Sequence, residues 1–211
     1  MGNSKPLLTG APVELMEIDS GADCLFMKNS SKKEKKGVVA EDYQTLKVAL
    51  YNINGIKGNF TKLELLLDWA YKENIDIIGI NETNTTGRQN NINLKNQGNY
   101  LGLWSDAEEN KKKGSGVGLL ICKKWEKHLS QVKRRNAYYL EALFVFQRQK
   151  VLVLVIYIPH NDPKIRKDIQ QQVIKRTFEC QSKGKATKVI ILGDFNDIRC
   201  RELDQNRKDS K

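Results

Sequence analysis

From residue 46 to residue 192 the chain repeats one pattern, a short aliphatic run that stops abruptly at polar residues. Leu46-Lys47-Val48-Ala49-Leu50-Tyr51 alternates enough to predict a strand, and it runs straight into Asn52-Ile53-Asn54-Gly55. Ile75-Asp76-Ile77-Ile78-Gly79-Ile80 has the continuous apolar character of a buried strand and ends at Asn81-Glu82-Thr83. Tyr138 to Phe146 and Val151 to Ile158 give two more strands, separated by Gln147-Arg148-Gln149-Lys150, a spacing that predicts an antiparallel hairpin. The second of these delivers Tyr157-Ile158-Pro159-His160. Val189-Ile190-Ile191-Leu192 reads as a strand buried on both faces and closes on Gly193-Asp194-Phe195-Asn196. Shorter strands are expected over Tyr100 to Trp104 and over Gly114 to Cys122.

Two segments carry helical spacing instead. Leu63, Leu66, Leu67 and Ala70 recur on one helical face behind Thr61-Lys62-Leu63-Glu64, which has capping-box spacing, so a helix is predicted to about Glu73. Asp162-Pro163 supplies an N-cap and a first-turn proline, and Ile165, Ile169 and Val173 extend a second helix to about Cys180. Residues 84–99, rich in Asn, Gln and Gly, have little to bury and are expected to form an exposed loop. Gly114, Gly116 and Gly118 lack the Lys-Ser/Thr ending of a phosphate loop, and close strand packing is the favoured reading. Residues 1–45 show no sustained apolar periodicity and are expected to be a disordered tail. One domain is expected over residues 46–198, followed by a polar tail over 199–211.

Charge narrows the partners. Thirty-six Lys and Arg against 25 Asp and Glu leave a formal charge of +11, which favours polyanions such as nucleic acid. Lys111, Lys112, Lys113, Arg134 and Arg135 are the candidate nucleic-acid contacts, with a plain solvated face as the alternative. The four cysteines are widely separated and only two histidines are present, so neither a zinc site nor a disulfide framework is indicated. That usage fits a reducing, intracellular compartment, and the lysine runs are compatible with a nuclear one. No apolar run approaches the ~20 residues of a membrane span, and no protein partner is indicated.

The polar groups at four strand ends are Asn52, Glu82, Tyr157, and Asp194 with Asn196. Asp194 and Asn196, two apart, point the same way if strand geometry persists. Two carboxylates with amides and a phenol suit a hard cation that keeps several waters and binds phosphate oxygens, Mg²⁺ first and Mn²⁺ as its substitute. Bound there, it polarises a phosphate while a carboxylate handles the attacking water.

Taken in order, Tyr51-Asn52-Ile53-Asn54-Gly55, Asn81-Glu82-Thr83, Gly116-Val117-Gly118-Leu119-Leu120-Ile121, Tyr157-Ile158-Pro159-His160 and Gly193-Asp194-Phe195-Asn196 resemble the endonuclease/exonuclease/phosphatase family. Within it the chain looks most like the apurinic-type endonuclease domains of non-LTR retrotransposons. The resemblance implies an α+β fold, a partial DNase I-like sandwich of two mainly antiparallel sheets with outer helices and the second half missing. It implies that Glu82 holds the divalent metal with Asn52 beside it. Tyr157 then contacts the scissile phosphate, Asp194 aligns and activates water, and Asn196 bonds a phosphate oxygen. The implied activity is Mg²⁺-dependent phosphodiester hydrolysis on nucleic acid, DNA foremost.

Asn81 stands where the family usually has Gln, and His160 where Asn is common. Family members also continue into a second half that ends in an Asp-His pair, whereas this chain runs from Asn196 into a polar segment around Arg201-Glu202-Leu203-Asp204. The expectation is therefore an impaired hydrolase. Two alternatives stay open, a silent remnant that binds nucleic acid and a phosphatase acting on a small phosphate ester.

Overall fold

A computed structural model of the chain describes residues 14–19, 45–94, 98–111, 113–146, 149–182 and 187–196. The described residues form nine strands in two sheets. The first contains β1 (Glu14–Asp19), β2 (Thr45–Asn52), β3 (Ile77–Asn81), β4 (Tyr100–Ser105) and β5 (Val117–Cys122) in the order β1-β2-β3-β5-β4. The second contains β6 (Leu129–Asn136), β7 (Tyr139–Phe146), β8 (Gln149–Tyr157) and β9 (Thr187–Asp194) in sequence order.

Neighbouring strands are antiparallel except in two pairs, β2 with β3 and β8 with β9. A parallel pair needs a crossover, and each has a helix in it: α1 (Thr61–Lys72) joins β2 to β3, and α3 (Pro163–Ser182) joins β8 to β9. The consequence is positional. Asn52 is opposite Asn81 in one sheet and Tyr157 is opposite Asp194 in the other, so each parallel pair ends on polar residues together.

Sequential residues on a strand face opposite ways, and here both ways are dry. Val48, Ile77, Leu119 and Ile121 join Ala142, Phe144, Val153, Val155, Ile190 and Leu192 in one core. Their chain neighbours Ala49, Ile78 and Leu120 join Leu63, Leu66, Leu67 and Ala70 of α1 in a second core. That two-sided burial is why these strands read as unbroken aliphatic runs. Gly79 lets the sheets approach: a Cβ there would lie 3.0 Å from Leu192 Cβ. Gly118 does the same within the first sheet, where a Cβ would run into the Trp104 ring.

The two-sheet sandwich, the hairpin of β7 and β8, and both expected helices are present. Asp162 caps α3 by accepting the Ile165 N–H at 3.0 Å. Three expectations need correction. β1 stands inside the stretch expected to be a disordered tail, pairing antiparallel with β2 from Glu14 opposite Leu50 to Asp19 opposite Thr45. The expected loop over residues 84–99 contains α2 (Gly87–Leu94), held because Leu94 is buried and Trp104 Nε1 donates to Asn91 Oδ1 at 2.9 Å. The capping box does not form at α1. Thr61 is already helical, Phe60 holds the cap position, and no side chain caps it. The basic segment after β5 forms a 3₁₀ helix (Lys123–His128) leading into β6. No helix among the described residues is long and apolar enough to cross a membrane.

Candidate active site

The ends of β2, β3, β8 and β9 bring Asn52, Glu82, Tyr157, Asp194 and Asn196 together. Asn52 Nδ2 donates to Glu82 Oε1 at 2.9 Å and to Asp194 Oδ2 at 3.3 Å, so one amide ties an acid of the first sheet to an acid of the second. Its Oδ1 accepts the Asn54 N–H at 3.0 Å, which fixes which way the amide faces. Asp194 Oδ1 accepts the Asn196 N–H at 3.0 Å, and Asn196 Nδ2 donates to the Ile158 carbonyl at 2.9 Å. Asn196 is thus held against β8.

Tyr157 is buried at the end of β8. Burial first, then the Glu82 charge and a hydrogen bond with Glu82, push its hydroxyl well above the ordinary phenol range, and a hydrogen bond from Asn196 opposes them. Tyr157 therefore stays a protonated donor at neutral pH. A Cβ on Gly114 would lie 3.5 Å from its hydroxyl, an ordinary contact, so it is the left-handed φ of 78° that favours glycine at this turn.

Backbone strain gathers at the same place. Five non-glycine residues among those described have positive φ, and Glu82 (φ 55) is the one that is not Asn. Asn tolerates this region through local hydrogen bonding, whereas Glu does so at a cost that surrounding contacts must over-determine. Those contacts are a ladder between two loops. Ile53 N–H donates to Asn81 O at 3.1 Å, Gly55 N–H to Glu82 O at 2.7 Å, and Ile56 N–H to Thr83 O at 3.0 Å.

Beneath the acids, Asn81 is wholly buried and bolts the sheets together. Its Nδ2 donates to Ile156 O at 3.2 Å and its Oδ1 accepts the Asp194 N–H at 2.8 Å, the amide orientation that satisfies both partners. Sequence reading treated Asn81 only as a departure from a pattern. The polar residue in an otherwise apolar strand, directly before Glu82, was the available signal. Two more supports carried no sequence signal: Arg166 Nη2 donates to Asn196 O at 3.0 Å, and the Tyr138 ring stacks on Tyr157 with centroids 6.3 Å apart.

The basic candidates divide. Lys111 Nζ donates to the Tyr138 hydroxyl at 2.5 Å and pairs with Glu108 at 3.3 Å, which brings its charge to the tyrosine stack beside the site. Lys113 is exposed, and Lys112 lies outside the described residues. Arg134 and Arg135 line a separate cleft of about 420 Å³ with Asn91, Trp104, Asp106 and Asn136. There Arg134 Nε donates to Trp104 O at 2.7 Å, and the Arg135 guanidinium lies 5.5 Å from the Tyr139 ring centroid.

Among the described residues no group of three or more His, Cys, Asp or Glu gathers. The pair of Glu82 and Asp194, which among the described residues meets only neutral donors, instead fits a hard cation that takes one or two carboxylates and fills its remaining positions with water. Of the two histidines, His128 packs between Trp125 and Phe146 with Nδ1 3.2 Å from Val145 O, at the end of β7 away from the site, and His160 is exposed.

Comparison with known proteins bears on the fold. No curated protein sequence matches the chain. Among solved structures, TDP2 from Caenorhabditis elegans superposes with a TM-score of 0.55 at 16% identity, over 72% of this chain and 48% of that one. An AP endonuclease from Archaeoglobus fulgidus gives 0.51 at 18% identity over 72% and 57%. The AP endonuclease LMAP from Leishmania major gives 0.56 at 13% identity over 71% and 54%. The chain spans about half the length of these structures, and likeness at such identities establishes the fold alone. The family match covers residues 49–207, which include every residue of the strand-end cluster, and by it the chain belongs to the Endonuclease/Exonuclease/phosphatase family.

Proposed function

We propose that the strand-end cluster hydrolyses phosphodiester bonds in nucleic acid, DNA foremost, with Mg²⁺ or Mn²⁺ held by Glu82 and with Asn52 beside it. The observation that carries this reading is the pair of acids, Glu82 and Asp194, joined by the single Asn52 amide with no cationic side chain between them among the described residues. When bound, the cation supplies charge neutralisation at the phosphate and the leaving oxygen. Asp194, fixed by Asn52 and by the Asn196 N–H, accepts a proton from the attacking water. Tyr157 donates to a phosphate oxygen from its protonated hydroxyl, and Asn196 donates as charge develops, exchanging the Ile158 carbonyl for phosphate. Lys111 at the Tyr138 stack draws the flanking polyanion in.

One observation favours a second reading, binding without turnover: neither histidine contributes to the cluster. A nicking assay on abasic-site and plain DNA, with inositol phosphate as a small-ester comparison, separates the two. Metal-dependent nicking that Asp194→Ala lowers by about 10²–10³-fold supports hydrolysis. Equal residual nicking in both proteins sinks it. DNA binding that weakens steeply with salt in the absence of nicking selects the second reading.

A further inference from the structure

Lys62 occupies a position that helix physics disfavours. It is the second residue of α1, where the helix dipole presents its positive end and disfavours a cation. Its side chain does not extend into solvent. Nζ donates to three consecutive carbonyls, Ile53 O at 3.2 Å, Asn54 O at 3.1 Å and Gly55 O at 3.1 Å, which uses all three ammonium donors. Successive left-handed conformations at Asn54 (φ 46) and Gly55 (φ 78) curl the turn so that these oxygens converge. The N–H side of the same turn is committed elsewhere: Asn54 N–H orients Asn52 Oδ1, and Gly55 N–H holds Glu82 O.

We infer that Lys62 is a positioning residue for the site, clamping the turn over residues 53–55 so that Asn52 presents its amide to Glu82 and Asp194. The ammonium closes the carbonyl side of the turn and leaves the N–H side one way to face. Without it, three carbonyls converge on nothing, the turn opens toward water, and Asn52 loses the N–H that fixes its rotamer. The inference rests on the metal-site reading above and extends it to a residue that touches neither acid.

Three measurements on the full chain test it. In the unmutated protein, Lys62 ammonium protons should exchange with water far more slowly than those of exposed Lys57; equal exchange overturns the clamp without any variant. In Lys62→Ala, the Asn52 side-chain amide resonances should move and Mn²⁺ affinity should fall about tenfold. Methylammonium, filling the three-carbonyl site in place of the lost ammonium, should restore both, which general destabilisation would not allow. Unchanged Asn52 resonances with unchanged Mn²⁺ affinity defeat the inference. If the unmutated chain binds no Mn²⁺, the metal reading fails, while the exchange and amide measurements still judge Lys62. Lys62→Met retains the aliphatic stem and serves if the alanine variant folds poorly.

Discussion

Two pairs of acids in this molecule have opposite surroundings. Asp76 and Glu141 are each 2% exposed and fully matched by donors. Asp76 accepts Trp125 Nε1 at 2.7 Å, the Lys47 N–H at 2.9 Å and Lys124 Nζ at 2.6 Å. Glu141 accepts the Tyr139 hydroxyl and Arg176 Nε, both at 3.1 Å, and pairs with Lys133 at 3.2 Å. Glu82 and Asp194 are less buried, yet among the described residues they meet amides, a phenol and backbone N–H groups and no Lys or Arg. Buried charge is tolerated in folds when it is paired. The half-buried strand-end pair has no cationic partner among the described residues, and that open charge is the feature the proposed cation answers.

The sharpest way to break the comparison is by stability. Glu141→Ala leaves Arg176, 17% exposed, with only Glu179 at 3.3 Å and leaves the buried Tyr139 hydroxyl without its acceptor, and it should cost about 3 kcal/mol in urea unfolding. Glu82→Gln removes a charge that no protein cation answers and relieves repulsion with Asp194, so its change should stay within about 1 kcal/mol and can be favourable. A Glu82→Gln cost equal to that of Glu141→Ala would make the two pairs alike and end the distinction.

Divalent cations give the next largest effect. Mn²⁺ at ten times its dissociation constant should raise unfolding stability by about 1.4 kcal/mol, and a chelator should remove that gain. Glu82→Gln should abolish the gain. Lys133→Gln, at the structural pair, should leave it intact. A gain that survives Glu82→Gln would place the cation elsewhere.

The same contrast explains what was legible in the sequence. Aliphatic runs that stop at polar residues are a one-dimensional record of two-sided burial, so the strands and the residues at their ends could be read directly. Asn52, Glu82, Tyr157 and Asp194 were found that way, and five ordered motifs gave the family. Which polar residues were structural could not be read. Asp76 and Glu141 sit in strand runs just as Asn81 does, and only the fold reveals that Asp76 meets Trp125 while Asn81 meets Asp194 across the sheets. β1 and α2 were missed because each is short and gains its order from a neighbour, β2 for one and Trp104 for the other. Lys62 was read as part of a capping box, since a bond to carbonyls eight residues back leaves no periodic trace.

The smallest expected effect lies at alkaline pH and tests both acid pairs through their tyrosines. Tyr139 is raised above the ordinary phenol range by burial and then by Glu141, and Tyr157 by burial and then by Glu82. Because the folded chain holds these protons more tightly than the unfolded one, their contribution is fully present below pH ~10 and is lost as pH rises through the folded values. Half a pH unit above ~10, each such tyrosine should lower stability by about 0.8 kcal/mol, and Tyr157→Phe should remove one share of that loss. Glu82→Gln should lower the pH at which Tyr157 forms phenolate, read by near-ultraviolet absorbance, and leave Tyr139 where it was. Movement of both tyrosines together would mean that Glu82 acts on the whole sandwich, whereas movement of Tyr157 alone confines its charge to the strand-end site.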